Sequence, residues 1–519
     1  MLNNFANAIN DSFANENVLT ENGAVAYKTS GKNIVDFNFK MSSYRNLTKS
    51  EIVNDFIGVY KENPLLAVKM IFFAGDIRGG MGERRVFNTC MNWLANTHGD
   101  IVNHIIHLIP EYNRWDAVIN LFFVENTKEK ALEIISQTIK SDMNLMKIKN
   151  NISLLAKWMP SINTSSKETV KKAQLLAQAL NLSFKEYRKT LSALRKYLDV
   201  VEVNMCANNW SKIKYESVPS KANLLYKEAF MKRDRERRIK YLNSLENGET
   251  KINSSVAFPY DILHKYSENS NFIYKRDIAL EKMWESLPDY VNGNGSDTIC
   301  VVDGSGSMGS TVGNTHISCH DVARSLGIYF AERMKGAFHN QFITFSTNPK
   351  LIKFKDNWSL YEKYNECVRH DEVSNTDIQK VFDLILTTAI NHNLKQDELP
   401  RNILILSDME FDYCVTYRNS YRYNTNKFNT GLTTLFENIC KDYESHGYKM
   451  PRLIFWNICS RTNAIPIKEN ENGVALVSGF SPTIASMVFS NKLDPYEILL
   501  EKLNSSRYEP VEKAINSLF

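Results

Sequence analysis

Asp297-Thr-Ile-Cys-Val-Val-Asp303-Gly-Ser305-Gly-Ser307-Met-Gly309 is the stretch whose reading decides the fold. Its apolar run, 298–302, has the length and composition of a buried strand. The run ends in Asp303-x-Ser305-x-Ser307, three hard oxygen donors packed into a turn. Such donors at the carboxyl end of a strand suit Mg²⁺, or another divalent cation such as Mn²⁺ or Ca²⁺. In an open α/β sheet the remaining ligands come from later loops at the same edge.

The chain around this stretch alternates. Strand-like runs lie at 298–302, 341–345, 402–407, 452–458 and 474–477. Helical stretches at 320–335, 377–391, 430–445 and 483–490 fall between them. That order predicts a parallel, doubly wound, Rossmann-like sheet with helices on both faces. Residues 291–296, Val-Asn-Gly-Asn-Gly-Ser, read as a hinge, so the α/β domain is expected over 291–519. Two later residues suit the same edge. Asp408 follows the run 402–407, and Thr376 precedes a helix in Ser374-Asn-Thr-Asp377. The candidate metal ligands are therefore Asp303, Ser305, Ser307, Thr376 and Asp408, two carboxylates and three hydroxyls. Glu410 and Asp412 read as solvated loop residues near them.

This set resembles the metal-ion-dependent adhesion site (MIDAS) of von Willebrand factor A (vWA) domains. Those domains carry DxSxS, then a Thr, then an Asp, each on a loop at one edge of the sheet. The resemblance implies that the two serines bind the metal directly, and that Asp303, Thr376 and Asp408 act directly or through water. It leaves one coordination position for water or for a partner's carboxylate. Metal-dependent hydrolysis needs an activated water and usually a base. No HxE, HExxH or DxD cluster surrounds these residues, so the protein reads as non-enzymatic. His320 is expected to face solvent or to pack at the start of its helix.

Upstream, apolar residues recur at helical spacing in 52–60, 65–74, 86–95, 101–109, 117–123, 130–139, 170–180 and 222–230. Turn residues such as Asn63-Pro64, Gly79-Gly80, Pro110 and Pro160 separate them. Short helices joined by short turns predict a helical-repeat (HEAT-like) domain over 1–290. Charge is uneven along the chain. Residues 1–290 hold 40 Lys and Arg against 32 Asp and Glu, whereas 291–519 hold 23 against 26. Within 140–240 the count is 22 against 9, a net +13. A block this basic, with aromatics interleaved, points to a polyanion and above all to RNA. Within it, Lys232, Arg233, Arg235, Arg237 and Arg238 follow a stripe of Leu225, Ala229 and Phe230 expected to face the core. Arg188, Lys189, Arg195 and Lys196 repeat the pattern beside Tyr187 and Tyr197.

Ala74-Gly-Asp-Ile-Arg78-Gly-Gly-Met-Gly82-Glu-Arg84-Arg85 resembles the arginine- and glycine-containing segment of TROVE-type helical domains. Tyr112-Asn-Arg114-Trp-Asp116 and Val218-Pro-Ser-Lys-Ala222 resemble segments of uncharacterised proteins that join such a domain to vWA. The best-known TROVE–vWA proteins are of the Ro autoantigen type, and the resemblance implies binding of small non-coding or single-stranded RNA. Arg78, Arg84, Arg85 and Arg114 join the candidate RNA contacts. The Gly79-Gly80-x-Gly82 loop lacks the Gly-Lys-Ser/Thr ending of a nucleotide loop and reads as a tight helix–helix turn. The alternative to RNA binding is a scaffold whose metal recognises a partner protein's carboxylate.

At 519 residues the chain exceeds one ordinary core, so two or more domains are expected. It is 43% hydrophobic and 23% charged, a globular composition without a membrane-length apolar run. The first residues lack the basic and apolar regions of a secretory signal. Eight scattered cysteines without a CxxC pair favour reduced thiols, Cys300 among them as a buried one, and a cytoplasmic setting.

Overall fold

The computed structural model describes residues 17–19, 25–268, 276–293, 295, 297–346, 348–370, 378–409, 432–461, 474–489, 492 and 494–519. The chain divides into two compact units. One is Met1–Glu62 with Ala257–Leu503, and the other is Asn63–Val256 with Asn504–Phe519. A single cut between 290 and 291 does not reproduce this division, because each unit is built from two separate stretches of chain.

The first unit holds a hairpin of β1 (Asn17–Leu19) and β2 (Val25–Tyr27), and a six-stranded sheet. The sheet strands are β3 (Thr298–Asp303), β4 (Gln341–Phe345), β5 (Leu351–Lys353), β6 (Asn402–Ser407), β7 (Arg452–Asn457) and β8 (Val474–Ser478). Their order is β5-β4-β3-β6-β7-β8, and only the β4–β5 pair is antiparallel. The chain runs outward from β3 to β4 on one side and from β6 to β7 on the other. Right-handed crossovers in opposite directions put helices on opposite faces. The switch point therefore falls between β3 and β6, whose carboxyl ends are Asp303 and Ser407. All six residues of β3 are buried, as a central parallel strand requires.

The Cys319–Arg333 helix packs on β3, where Gly327 permits a close approach: a Cβ there would lie 2.6 Å from Val302 Cγ2. A Ser318–Asp321 capping box starts that helix. The expected 483–490 helix is shorter, a 3₁₀ turn at Pro482–Ile484 followed by Ala485–Val488. Asn292, Gly293 and Gly295 have positive φ, a conformation that glycine adopts readily. The Asn33–Phe39 helix packs against β8, which explains why residues assigned to the helical half belong here. Asn457 Nδ2 donates to Phe39 O (2.9 Å), and Ser42 Oγ donates to Asn457 O (3.1 Å).

The second unit is helical. Its main helices are Pro64–Gly75, Arg84–Thr97, Gly99–Ile105, Lys128–Lys147, Lys167–Ala179, Phe184–Tyr197 and Arg235–Glu246. The expected 222–230 helix is broken at Tyr226 into Ser220–Leu225 and Lys227–Arg233. Leu225, expected to face the core, is 71% exposed, whereas Phe230 is fully buried. The Gly79–Gly82 segment is the expected helix–helix turn. Met81 N–H and Glu83 N–H return to Phe73 O and Ala74 O, and a Cβ on Gly80 would lie 2.1 Å from Phe73 O. Buried Asp76 organises this turn. It accepts from Arg507 Nε (2.8 Å), Arg507 Nη2 (3.1 Å), Tyr508 OH (3.2 Å) and Arg78 N–H (3.0 Å). That cluster, together with the ion pair of buried Lys69 with Glu512, ties 504–519 into the helical unit.

Candidate metal centre and nucleic-acid surface

The switch point of the first unit brings four of the five predicted ligands to one edge. Asp303 closes β3, and Ser305 and Ser307 lie in the turn that follows. Asp408 follows β6, the parallel neighbour of β3. Asp303 is 1% exposed and Asp408 1%. Asp303 Oδ1 accepts from Ser305 N–H (2.9 Å), and Oδ2 accepts from Ser407 Oγ (2.6 Å). Ser407, which sequence reasoning missed, is thus a positioning residue for Asp303. Its place as the last residue of the strand before Asp408 was the available signal. Ser305 Oγ and Ser307 Oγ lie 3.0 Å apart. Met409, the residue after Asp408, is buried with φ of 64°, a conformation rare for a non-glycine residue and one that clusters at functional sites.

Among the described residues no group of three His, Cys, Asp or Glu side chains is arranged to hold a metal ion. The donor set is instead two carboxylates and two hydroxyls, all oxygen, which fits a hard cation that keeps several waters. Arg461 Nη2 lies 3.4 Å from Asp408 Oδ2 and brings positive charge to the same edge. Thr376, Glu410 and Asp412 lie outside the described residues. Thr387 and Thr388 are in the Ile378–Asn391 helix. His320 is half-buried against the backbone of Gly304 and Ser305. Burial, then the Arg324 charge, pushes its pKa down to about 4, so the ring is neutral near pH 7.

The second unit sorts the predicted RNA contacts into two groups. Arg188, Lys189 and Lys196 are exposed on the Phe184–Tyr197 helix, and Lys232, Arg233 and Arg235 are exposed around the Asp234 break. The other cations are half-buried or buried, apart from exposed Arg78. Arg195 donates to Ala156 O (2.8 Å), Met159 O (2.6 Å) and Ser161 Oγ (2.8 Å). Arg237 donates to Trp210 O (2.7 Å), Ile213 O (2.6 Å) and Asp234 (2.9 Å). Arg238, read from the sequence as a surface contact, is 1% exposed. Its guanidinium sits 4.9 Å from the Tyr215 ring, 5.3 Å from Phe230 and 5.4 Å from Tyr241. Aromatic faces hold the charge where water cannot reach it. Arg114 lies 4.1 Å over Trp158 and pairs with Asp116 (2.6 Å). Burial, then Arg84, lowers its pKa. Arg78 donates to Glu111 O (3.3 Å), and Arg84 and Arg85 are half-buried.

The same region holds a cleft of about 850 Å³ whose lining includes Lys212, Lys214, Arg237, Lys240, Tyr215 and Tyr241. All three lysines are exposed; Lys240 belongs to the basic run read from the sequence, whereas Lys212 and Lys214 were not singled out there. The signal was present in Trp210-Ser-Lys-Ile-Lys-Tyr215, where cations alternate with apolar residues between two aromatics. Asp199 and Glu216 also line the cleft, so its net charge is smaller than its lysines alone imply.

Fold and site together define a two-unit protein: a basic helical unit, and a mostly parallel sheet with an Asp/Ser edge at its switch point. Two family models divide the sequence between residues 296 and 297. Residues 20–108 and 131–296 match a family described as "Domain of unknown function (DUF2828)", and residues 297–514 match "Domain of unknown function (DUF7788)". The chain is 28% identical over 537 residues to "Uncharacterized protein L728" of Acanthamoeba polyphaga mimivirus, covering 95% of this chain and 88% of that protein. Among solved structures, the Deinococcus radiodurans RO (RSR) protein aligns over 92% of this chain and 93% of its own, at 11% identity and a TM-score of 0.32.

Proposed function

We propose that this protein binds single-stranded or structured small RNA through its helical unit and carries a vWA-type divalent-metal site on its sheet. The observation that carries the RNA reading is the set of exposed cations for which no ion pair is seen among the described residues. Arg188, Lys189 and Lys196 lie on one helix, Lys232, Arg233 and Arg235 at the 234 break, and Lys212, Lys214 and Lys240 in the cleft. Side chains so placed neutralise backbone phosphates without reading sequence. Tyr215 and Tyr241 are buried at 3% and 5% exposure. Their role is to brace the cleft rather than to stack on bases. The activity is binding and not catalysis. Filter binding of a single-stranded RNA tests it. Charge reversal at Lys212, Lys214 and Lys240 is expected to weaken retention at least tenfold, and unchanged retention would remove the cleft from the account.

A second reading is favoured by the oxygen edge itself. Asp303, Ser305, Ser307 and Asp408, with Thr376 proposed as the fifth ligand, would hold Mg²⁺, Mn²⁺ or Ca²⁺. The bound ion would supply an open position for a partner protein's carboxylate. In that reading the helical unit is a scaffold. Calorimetric titration with Mg²⁺ and Mn²⁺ is expected to show one site that Asp303→Asn and Asp408→Asn both abolish. A partner captured with Mg²⁺, released by EDTA and free of nucleic acid would favour this reading over RNA binding.

A further inference from the structure

We propose that the exposed ring of Tyr197, with Ile148 and Leu154 of the segment it contacts, is a stacking platform for unpaired RNA bases. The inference rests on the RNA reading above and deepens it, from backbone charge to bases and from RNA in general to single strands.

Tyr197 is the last residue of the Phe184–Tyr197 helix and is 37% exposed. Its hydroxyl donates to Asn150 O (2.9 Å), which holds the ring against the segment between the Lys128–Lys147 and Leu155–Trp158 helices. That segment is itself fixed. Asn150 N–H returns to Leu145 O (2.9 Å), and buried Asp142 accepts from Ser153 N–H (2.9 Å) and Ser153 Oγ (2.6 Å). Two residues of the segment leave large apolar side chains in water: Ile148 is 71% exposed and Leu154 54%. The core is served instead by Tyr187, Leu191 and Leu194 of the same helix as Tyr197. A ring already held in place gives up little freedom when a flat base covers it.

Cations flank the ring. At about 100° per residue, Lys185, Lys189 and Lys196 fall on one line of the helix, on the side of Tyr197 away from the buried stripe. All three lysines are exposed, as are Lys147 and Lys149 on either side of Ile148. Residues 142–199 hold eleven Lys and Arg against four acids. Each acid is engaged: Asp142 with Ser153, Glu168 with Lys172, Glu186 in the capping box with Ser183, and Asp199 with Asn204 Nδ2 (2.8 Å). The patch therefore suits a polyanion that also carries flat apolar surface. Single-stranded RNA offers both at once, whereas a duplex keeps its bases stacked on one another and out of reach of the ring.

Filter binding with the full chain tests this, using an unstructured single-stranded RNA, an abasic strand with the same phosphates and a duplex RNA. The wild type is expected to prefer the base-bearing strand to the abasic one. Tyr197→Ala is expected to weaken the base-bearing strand about 5- to 150-fold, the loss of one stacked base, and to leave the abasic strand and the duplex unchanged. Tyr197→Phe keeps the ring and is expected to bind like the wild type. Ile148→Ser/Leu154→Ser, two changes at exposed positions, should show the same selective loss without disturbing the fold. Equal weakening on both single strands would mean that Tyr197 only props the segment, and would overturn the proposal while leaving the RNA reading intact. So would unchanged affinity for the base-bearing strand in Tyr197→Ala and in the double variant. So would lost binding of an acidic, leucine-containing peptide in Tyr197→Ala with RNA affinity unchanged, which would assign the platform to a protein partner. A wild type that retains none of the three nucleic acids would overturn the RNA reading itself, and this proposal with it.

Discussion

Replacing Asp76 by Asn tests the long-range cluster that joins 504–519 to the helical unit. Asp76 is fully buried, and each of its oxygens takes two bonds. Oδ2 accepts from Arg507 Nε and Tyr508 OH, and Oδ1 accepts from Arg507 Nη2 and Arg78 N–H. Asparagine keeps the shape but has one acceptor oxygen, so two of the four bonds go in either orientation. Its NH₂ then faces a guanidinium. Removing one partner of a buried ion pair costs about 3–5 kcal/mol. Arg507 is 30% exposed and keeps Glu111 at 2.8 Å, which argues for the low end, about 3 kcal/mol. With a urea slope of about 1–3 kcal/mol/M, the midpoint should fall by about 1–3 M. Urea denaturation measures it, and hydrogen exchange should show lost protection over Glu509–Ile515. A midpoint shift below about 0.3 M with an unchanged slope would refute the reasoning.

Three further outcomes follow from the geometry. His264 lies between Asp321 (2.8 Å), Glu268 (3.3 Å) and Ser267 (3.1 Å), with Lys265 nearby, and its pKa is raised: burial lowers it, but the Asp321 contact and the Glu268 charge outweigh burial. Its stabilising contribution is therefore full below the unfolded value of about 6.5 and is lost as pH rises through the higher folded value. Thermal melts from pH 6 to 8 should fall more steeply for the wild type than for His264→Gln, and parallel curves would contradict this. Gly327→Ala should cost about 1–3 kcal/mol by overpacking against Val302, with recovery in the Gly327→Ala/Val302→Ala pair, as read by urea midpoints. Arg238→Ala should destabilise the helical unit in the same assay, whereas Arg233→Glu/Arg235→Glu should leave stability within about 0.5 kcal/mol and weaken RNA retention.

The sheet was legible because its strands are continuous apolar runs, and a fully buried parallel strand has no other pattern. β5 escaped notice because three residues alternating exposed, buried, exposed are too short to register. The Phe184–Tyr197 helix announces itself through the Ser183–Glu186 capping box and the buried Tyr187, Leu191 and Leu194. The exchange of segments between units was not legible, since nothing local to Asp76 names a partner 431 residues away. Arg238 was misread for a related reason: an arginine is exposed by default unless its neighbours cage it, and the cage comes from Tyr215, Phe230 and Tyr241. At the candidate metal edge, Asp303 ends β3 and Asp408 follows β6, as the apolar runs before them indicate. The hydroxyl of Ser407 that holds Asp303 is visible only once β3 and β6 are paired.

The central claim is that the helical unit binds RNA by phosphate neutralisation. Filter binding of a single-stranded RNA across a salt series tests it most directly. Four to six neutralised phosphates give a slope of about −3 to −4 in log K against log salt. The account predicts a slope of that steepness, reduced when Arg188, Lys189, Lys196, Lys232, Arg233 and Arg235 are changed to Ala. Absence of RNA retention by the wild-type protein at about 50 mM salt would contradict it.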